Sequence, residues 1–178
     1  MDAKPLPSRP NPDQYKKQAK DLLNAWKAAD VEALRRIRQG HPRLRRLTPE
    51  EIPNARFVLA DAQLVVAREH GFESWPKFAG HLHAIASSHS HISTFEKAID
   101  AIVAGDLATL TSLLREHPEL TRARSTRQHH ATLLHYVSAN GVEDYRQRTP
   151  PNIVAIATLL LDAGAEVDAL LRSHGIEG

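Results

Sequence analysis

Apolar residues recur at helical spacing along most of the chain. Ala19, Leu22, Leu23 and Trp26 lie three or four positions apart, which is typical of one face of an amphipathic helix. Start and stop signals predict further helices at about 30–40, 55–70, 75–86, 93–104, 106–116, 132–140 and 152–163. We find no convincing alternation of polar and apolar residues with the period of two that marks a half-buried strand. The pattern therefore predicts an all-α fold.

Proline-rich and small polar segments divide the chain into four parts. Residues 1–12 contain four prolines and predict a disordered lead-in. Residues 13–86 form a predicted amino-terminal helical unit, and the small polar residues of 87–91 form a predicted linker. Residues 92–178 then form a second helical unit.

An internal repeat relates the two units. Ala29–Leu34 aligns with Gly105–Leu110 at an offset of 76, and Leu64 aligns with Leu134 at an offset of 70. The change of offset places a six-residue length difference in the loop between the two hairpins of a unit. Because one helical hairpin cannot bury both of its apolar faces, tandem hairpins predict a stack, or solenoid.

Part of the second unit resembles ankyrin repeats. Residues 132–141, Thr-Leu-Leu-His-Tyr-Val-Ser-Ala-Asn-Gly, are similar to the first-helix signature of that family, and 156–169 resemble its second helix and turn. Residues 93–131 are similar to a degenerate amino-terminal repeat. The resemblance implies a helical-hairpin solenoid of ankyrin-like repeats after an α-helical amino-terminal unit. It also implies that His135 and Thr132 hydrogen bond the turn backbone.

Two features depart from the ankyrin pattern. Leu133 stands at the position of the motif proline. An insertion of about eleven residues, at about 142–152, separates the two helices of the best-matching repeat. The insertion is open to two interpretations, a recognition loop or a packed cover.

The resemblance implies a non-catalytic scaffold that mediates protein–protein interaction. Ankyrin repeats bind partners through the tips of their inter-repeat turns and the concave surface of their first helices. Tyr136 falls on the outward position of such a helix, and Tyr and Arg dominate the energetics of many interfaces. The candidate partner-binding residues are Arg127, His129, His130, Tyr136, Tyr145, Arg146 and Arg148.

Charge is distributed unevenly between the two halves of the sequence, which predicts a basic and an acidic side of the molecule. Net charge is +2, but residues 1–80 hold 15 basic and 10 acidic side chains, whereas 81–178 hold 8 and 11. The basic residues Arg35, Arg36, Arg38, Arg43, Arg45 and Arg46 are close together in the sequence. No aromatic stacking platform accompanies them, so we interpret them as a solvated face and do not expect a nucleic acid partner.

The sequence lacks the usual signatures of catalysis. It contains no nucleophile elbow, phosphate-binding glycine loop or dinucleotide fingerprint, so we expect no enzymatic activity and no cofactor. The absence of cysteine excludes disulfides and every Cys-ligated zinc site. We predict no metal site, because His81 and His83 point to opposite sides of a helix. The alternative is a small-ligand or metal-binding protein, with or without hydrolytic activity, that uses the linker histidines His89 and His91.

The remaining predictions concern location and assembly. The first residues lack the apolar core of a signal peptide, and the longest apolar runs are too short to span a membrane, so we expect a cytoplasmic protein without a membrane partner. The apolar carboxy-terminal helix predicts one of two arrangements. Either Leu170, Leu171 and Ile176 fold back over Leu160, or the same surface forms a homodimer through the carboxy-terminal helices.

Overall fold

A computed structural model of the chain describes residues 3–7, 10–87, 90–138 and 143–171. Over these residues the fold is all-α, with eight α-helices, four short 3-10 turns and no strand. The chain forms two compact units, unit 1 (Met1–His83) and unit 2 (Ala84–Gly178). The boundary lies inside the fourth helix, a few residues before the linker predicted at 87–91.

Unit 1 has four helices, and their ends follow local capping signals. Asn11 caps the first helix through Asp13 N–H, and Asp30 caps the second through Ala33 N–H. Glu51 accepts from Thr48 N–H at 2.8 Å ahead of the second 3-10 turn, which is one of the two bonds of a capping box. The helices are α1 (Pro12–Lys27), α2 (Val31–Gly40), α3 (Leu59–Glu69) and α4 (Trp75–Ala86), with 3-10 turns at Leu44–Arg46 and Ile52–Asn54.

The core of unit 1 is built around α3, which packs against both α1 and α2. Val65 and Val66 of α3 are completely buried, together with Leu22 of α1 and Ile37 of α2. Phe78 of α4 completes the core and stacks on an imidazole ring, that of His70. The aromatic residues of unit 1 therefore serve as core anchors.

The described residues of the predicted lead-in contact unit 1. Lys4 N–H donates to the carbonyl of Glu69 at 2.7 Å, and the Lys4 carbonyl lies 3.0 Å from Nδ1 of His70. Leu6 packs against the core of unit 1, and Pro10 is buried. Proline-rich composition favours an extended chain, and an extended chain leaves backbone groups available for such hydrogen bonds.

Unit 2 consists of two helical hairpins. Gly105 and Asp106 separate the helices of the first hairpin, whereas the insertion separates those of the second. Its core contains Ile99, Ile102, Leu110, Leu133, Ile156 and Leu160, all completely buried. The helices are α5 (His91–Ala104), α6 (Leu107–Glu116), α7 (Leu133–Val137) and α8 (Ile153–Asp162), with 3-10 turns at Pro118–Thr121 and Asp144–Arg146.

The internal repeat is visible in the turns between α1 and α2 and between α5 and α6. Ala29 and Gly105, 76 positions apart, both have left-handed backbone angles, with φ of 53° and 75°. Each is followed by an aspartate whose N–H closes the preceding helix and whose side chain caps the next one. The second hairpins of the units differ more, because α3 and α7 begin 74 positions apart rather than the predicted 70.

The paired turns allow a matched test of backbone strain. We expect Gly105→Ala to lower the free energy of unfolding by about 1–3 kcal/mol, because alanine resists a positive φ. Its Cβ would also lie 2.7 Å from Oδ1 of Asn152. Ala29→Gly should change stability by less than about 1 kcal/mol, because relief of strain is offset by the greater freedom of the unfolded chain. Urea denaturation measures both, and equal effects at the two positions would contradict this account.

Candidate functional site

The described part of the insertion packs against the rest of unit 2 through buried charged side chains. Arg127 lies in the turn after α6, Glu96 lies on α5, and Glu143 and Arg146 belong to the insertion. The side chains of Arg127 and Glu143 are only 2% and 1% exposed. These four residues, with His129, Tyr136 and Tyr145, form what we call the ion cluster. Its two arginines and two glutamates balance in formal charge.

Arg127 bridges α5 and the insertion. Its Nη1 donates to Glu96 at 2.5 Å, its Nε lies 3.0 Å from Oε1 of Glu143, and its Nη2 lies 3.4 Å from the Tyr145 hydroxyl. Burial alone would lower the pKa of Arg127, but the two carboxylates outweigh it and raise that pKa well above its ordinary value. The guanidinium is therefore a permanent buried cation.

Glu143 is the acceptor at the centre of the ion cluster. Its Oε1 accepts from Nε2 of His129 at 3.0 Å and from the hydroxyl of Tyr136 at 3.2 Å. Ala131 N–H donates to Nδ1 of His129, so the ring proton is on Nε2. Burial acts to raise the pKa of Glu143, but His129 and Arg127 outweigh it and hold the pKa below its ordinary value.

Arg146 closes the ion cluster on the solvent side. It lies 2.8 Å from Oε2 of Glu96 and 3.0 Å from Oδ1 of Asp100, both on α5. Its guanidinium also lies over the ring of Tyr145, with 5.4 Å from Cζ to the ring centroid. Burial raises the pKa of Tyr145, so its hydroxyl stays protonated at neutral pH.

The structure corrects the expected exposure of several candidate partner-binding residues. Tyr136 is 1% exposed rather than outward, because its hydroxyl reaches Glu143 and the insertion covers it. Arg127 and His129 are also buried, and Arg146 and Tyr145 are mostly covered. His130 is half-buried, and Arg148 is exposed. Within the insertion, Glu143, Tyr145 and Arg146 therefore pack against the rest of unit 2, whereas residues 147–149 are exposed.

His135 holds the turn at the start of α7. Its Nδ1 accepts from Thr132 N–H at 3.1 Å and lies 2.7 Å from Oγ1 of Thr132. Burial lowers the pKa of His135 and outweighs the backbone of Ala169, in the segment after α8, which acts to raise that pKa. The ring is therefore neutral and accepts at Nδ1. His135 thus hydrogen bonds to the turn backbone at Thr132, as expected.

We expect His135→Ala to destabilise unit 2 by about 1–3 kcal/mol, because it leaves the Thr132 donors without their partner. His135→Asn should recover part of the loss, because its Oδ1 can occupy the place of Nδ1. The wild-type stabilisation is complete above pH 6.5, the ordinary pKa, and falls as pH drops through the lower folded pKa. Denaturation at pH 5 to 8 measures this, and a pH-independent loss would contradict it.

The other histidines form no metal centre within the described ranges, where no group of three or more metal-ligating side chains is suitably arranged. His81 is 1% exposed and packs against Phe72, whereas His83 is exposed, as their spacing on one helix requires. His91 lies 3.5 Å from Glu119 at the surface, and His89 lies outside the described residues. The metal-binding alternative thus remains a prediction without an assembled site.

In unit 1 the predicted basic face is partly neutralised. Arg36 makes a bidentate pair with Glu69, which is also bonded to Lys4 at 2.9 Å. Burial acts to raise the pKa of Glu69, but Arg36 and Lys4 outweigh it and hold the pKa below 4.5. A groove of about 600 Å³ lies beside this pair, between α1 and α2. Lys4 and Arg36, the two cations that line this groove, are already paired with the Glu69 carboxylate.

An exposed apolar surface lies on α8 and the segment that follows it. Of the seven large apolar residues exposed among the described residues, four lie between positions 154 and 170. Thr158 is exposed between two of them, and its hydroxyl is satisfied internally by the carbonyl of Val154 at 3.0 Å. We call this the α8 surface, and its apolar members are Val154 (75% exposed), Leu161 (43%), Val167 (73%) and Leu170 (83%).

The carboxy-terminal fold-back predicted over Leu160 is present only in part. Leu160 is completely buried, and Leu171 packs against the core of unit 2. Leu170 instead points to solvent, with its carbonyl bonded to Arg124 at 2.8 Å. Ile176 lies outside the described residues. The homodimer prediction concerns this end of the chain but names neither Val154 nor Val167, although Val154 and Leu161 are seven positions apart on a helix and so lie on one side of it.

No protein-family model, curated protein or solved structure matches this chain. Within the described ranges no helix is both long and apolar enough to cross a membrane. The candidate function therefore depends on the geometry of the α8 surface and the ion cluster.

Proposed function

We propose that unit 2 is a non-catalytic protein-binding module of ankyrin-like helical hairpins, which binds another protein through the α8 surface. The observation that carries the proposal is the concentration of exposed apolar side chains, Val154, Leu161, Val167 and Leu170. Contiguous apolar surface is costly in water, and it commonly marks a site where a partner binds.

Two local features support the ankyrin-like character of unit 2. The turn between α5 and α6 has a glycine at a left-handed position followed by an aspartate cap. At the start of α7, Thr132 and His135 hydrogen bond as the resemblance implies. A second turn is closed by Ser125 N–H, which donates to the Ala131 carbonyl at 2.8 Å. These contacts stabilise a scaffold without placing a reactive group on its surface.

The ion cluster supports the non-catalytic part of the proposal. Its acids and bases hydrogen bond to one another, and its central groups are closed to solvent. A general acid or base must come within hydrogen-bond distance of its substrate. Glu143 and His129 instead use their hydrogen bonds to hold the insertion on α5 and α7.

Site-specific photo-cross-linking tests the proposal. A benzophenone amino acid at position 161 should give partner adducts in an extract of the source cells. The same amino acid at Val31, which is 81% exposed in unit 1, is the matched control. Adducts at position 161 should disappear when Val154→Glu is added. Equal labelling at positions 161 and 31 would contradict binding at the α8 surface.

A second copy of this chain is the alternative occupant of the α8 surface, as the homodimer prediction requires. The same experiment on the purified protein distinguishes the two. A homodimer would give a cross-linked product with the mass of two chains. Its light scattering would depend on concentration, and Leu161→Glu would abolish that dependence. These results together would identify a second copy of the chain, rather than another protein, as the occupant of the α8 surface.

A further inference from the structure

Every ionisable side chain in the described chain from Thr149 to Leu171 is acidic. This stretch contains Asp162, Glu166 and Asp168, all exposed, and no lysine, arginine or histidine. None of the three carboxylates forms an ion pair with another described residue. They lie after Leu161 and around Val167, so the negative charge adjoins the apolar side chains of the α8 surface.

The end of α8 adds to this negative potential. A helix carries partial negative charge at its carboxy-terminus, and basic side chains commonly offset it there. The last turn of α8 has no basic residue and ends at Asp162. Arg124 is a described cation near this end, and its Nη1 is already bonded to the carbonyls of His130 and Leu170.

The apolar and acidic parts are arranged along the chain in a definite order. Val154, Thr158 and Leu161 form a stripe at positions i, i+4 and i+7 of α8, and the helix has no charged residue before Asp162. Glu166 and Asp168 then follow Leu161. A complementary ligand therefore needs an apolar stripe of helical spacing and positive charge towards one end.

We infer that the α8 surface binds an amphipathic helix of the partner that is apolar on one face and rich in lysine or arginine at one end. This inference rests on the proposed function and names the chemical class of its partner. The apolar face packs along Val154 and Leu161, as side-chain ridges of paired helices do. The basic end lies over Asp162, Glu166 and Asp168, where opposite charge speeds association and selects the partner.

Fluorescence anisotropy with three synthetic peptides of about 16 residues, long enough to form a helix on binding, tests the inference. All three peptides have leucine at helical spacing in one half. The other half carries lysine in the first peptide, glutamine in the second and glutamate in the third. At low salt the full chain should bind the lysine peptide at least about tenfold more tightly than the glutamine peptide. The glutamate peptide should bind most weakly. The advantage of lysine should shrink as added salt screens these exposed charges.

Two sets of variants separate charge from apolar contact. Asp162→Asn, Glu166→Gln and Asp168→Asn together should remove most of the lysine advantage and leave the glutamine peptide unaffected. The matched control, Asp21→Asn with Glu32→Gln and Glu50→Gln, changes net charge equally within unit 1 and should retain the advantage. Val154→Glu should weaken binding of both peptides by about tenfold, with the helical content checked by circular dichroism.

The outcomes distinguish the inference from the proposed function. Equal binding of the lysine and glutamine peptides, or no binding of either, overturns the basic partner class. If adducts at position 161 are still formed in that case, the proposed function stands with a partner of another chemistry. If these adducts are also absent, both fail. An unchanged lysine advantage in the neutralised α8 variant overturns the charge pairing.

Discussion

Arg127→Ala should lower the free energy of unfolding of unit 2 by about 3–5 kcal/mol, the largest effect that we expect from one substitution. The change removes the buried cation shared by Glu96 and Glu143, so Glu96 keeps Arg146, and Glu143, which is 1% exposed, keeps His129 and Tyr136 as close partners. Such charges cannot be solvated without opening the cluster. Arg127→Met keeps most of the apolar stem and should cost nearly as much, because the lost cation rather than lost packing causes the effect.

The readout must separate the two units. Both tryptophans of the chain, Trp26 and Trp75, lie in unit 1. Hydrogen exchange of peptides from α5 to α8 therefore reports unit 2, while tryptophan fluorescence reports unit 1. Arg148→Ala is the control, because Arg148 belongs to the same insertion and is exposed. A loss below about 1 kcal/mol for Arg127→Ala would show that the ion cluster does not hold the insertion in place.

Arg36→Met should destabilise unit 1 by about 2–3 kcal/mol at neutral pH, because it removes two hydrogen bonds from the buried Glu69 carboxylate. The expected loss is smaller than for Arg127, since Arg36 is 32% exposed whereas Arg127 is 2% exposed, and Lys4 still contacts Glu69. Arg35→Met is the matched control on the same helix. Its pair with Glu32 is mostly exposed, so stability should stay within error.

The effect of Arg36→Met should also depend on pH. Arg36 and Lys4 hold the folded pKa of Glu69 below its ordinary value of 4.5. The stabilisation is therefore complete above pH 4.5 and is lost as pH falls through the folded pKa. Urea denaturation followed by tryptophan fluorescence should show wild type and Arg36→Met converging in acid. A constant difference down to about pH 3 would indicate that packing, not the ion pair, explains the loss.

The candidate partner-binding surface differs from the one that residue types predict. Tyrosine and arginine are frequent in interfaces, so the sequence predicted a partner site at the turn and the insertion. In unit 2 the same residues contact one another around Glu143 and are largely covered. Smaller aliphatic residues, Val154 and Val167, are the exposed ones. An interface residue is identified by exposure as well as by type.

The sequence by itself determined the helices and most of their ends. Asp30 and Asp106 accept from backbone N–H groups three residues ahead, and Thr132 and His135 are also three positions apart. Such signals act within one helical turn, so they are readable without the fold. The repeat offset of 76 survives in the structure for the same reason, because the aligned turns use local contacts.

Only the tertiary structure decided which polar residues are buried and which apolar residues are exposed. Lys4 pairs with Glu69 across 65 positions, and Arg127 pairs with Glu96 across 31. The insertion reaches Arg127 and His129 only because the chain folds back after α7. Local periodicity contains no information about such partners, since a buried charge is tolerated only where distant residues supply the opposite charge. The exposure of Val154 and Leu161 follows likewise from which elements pack against α8.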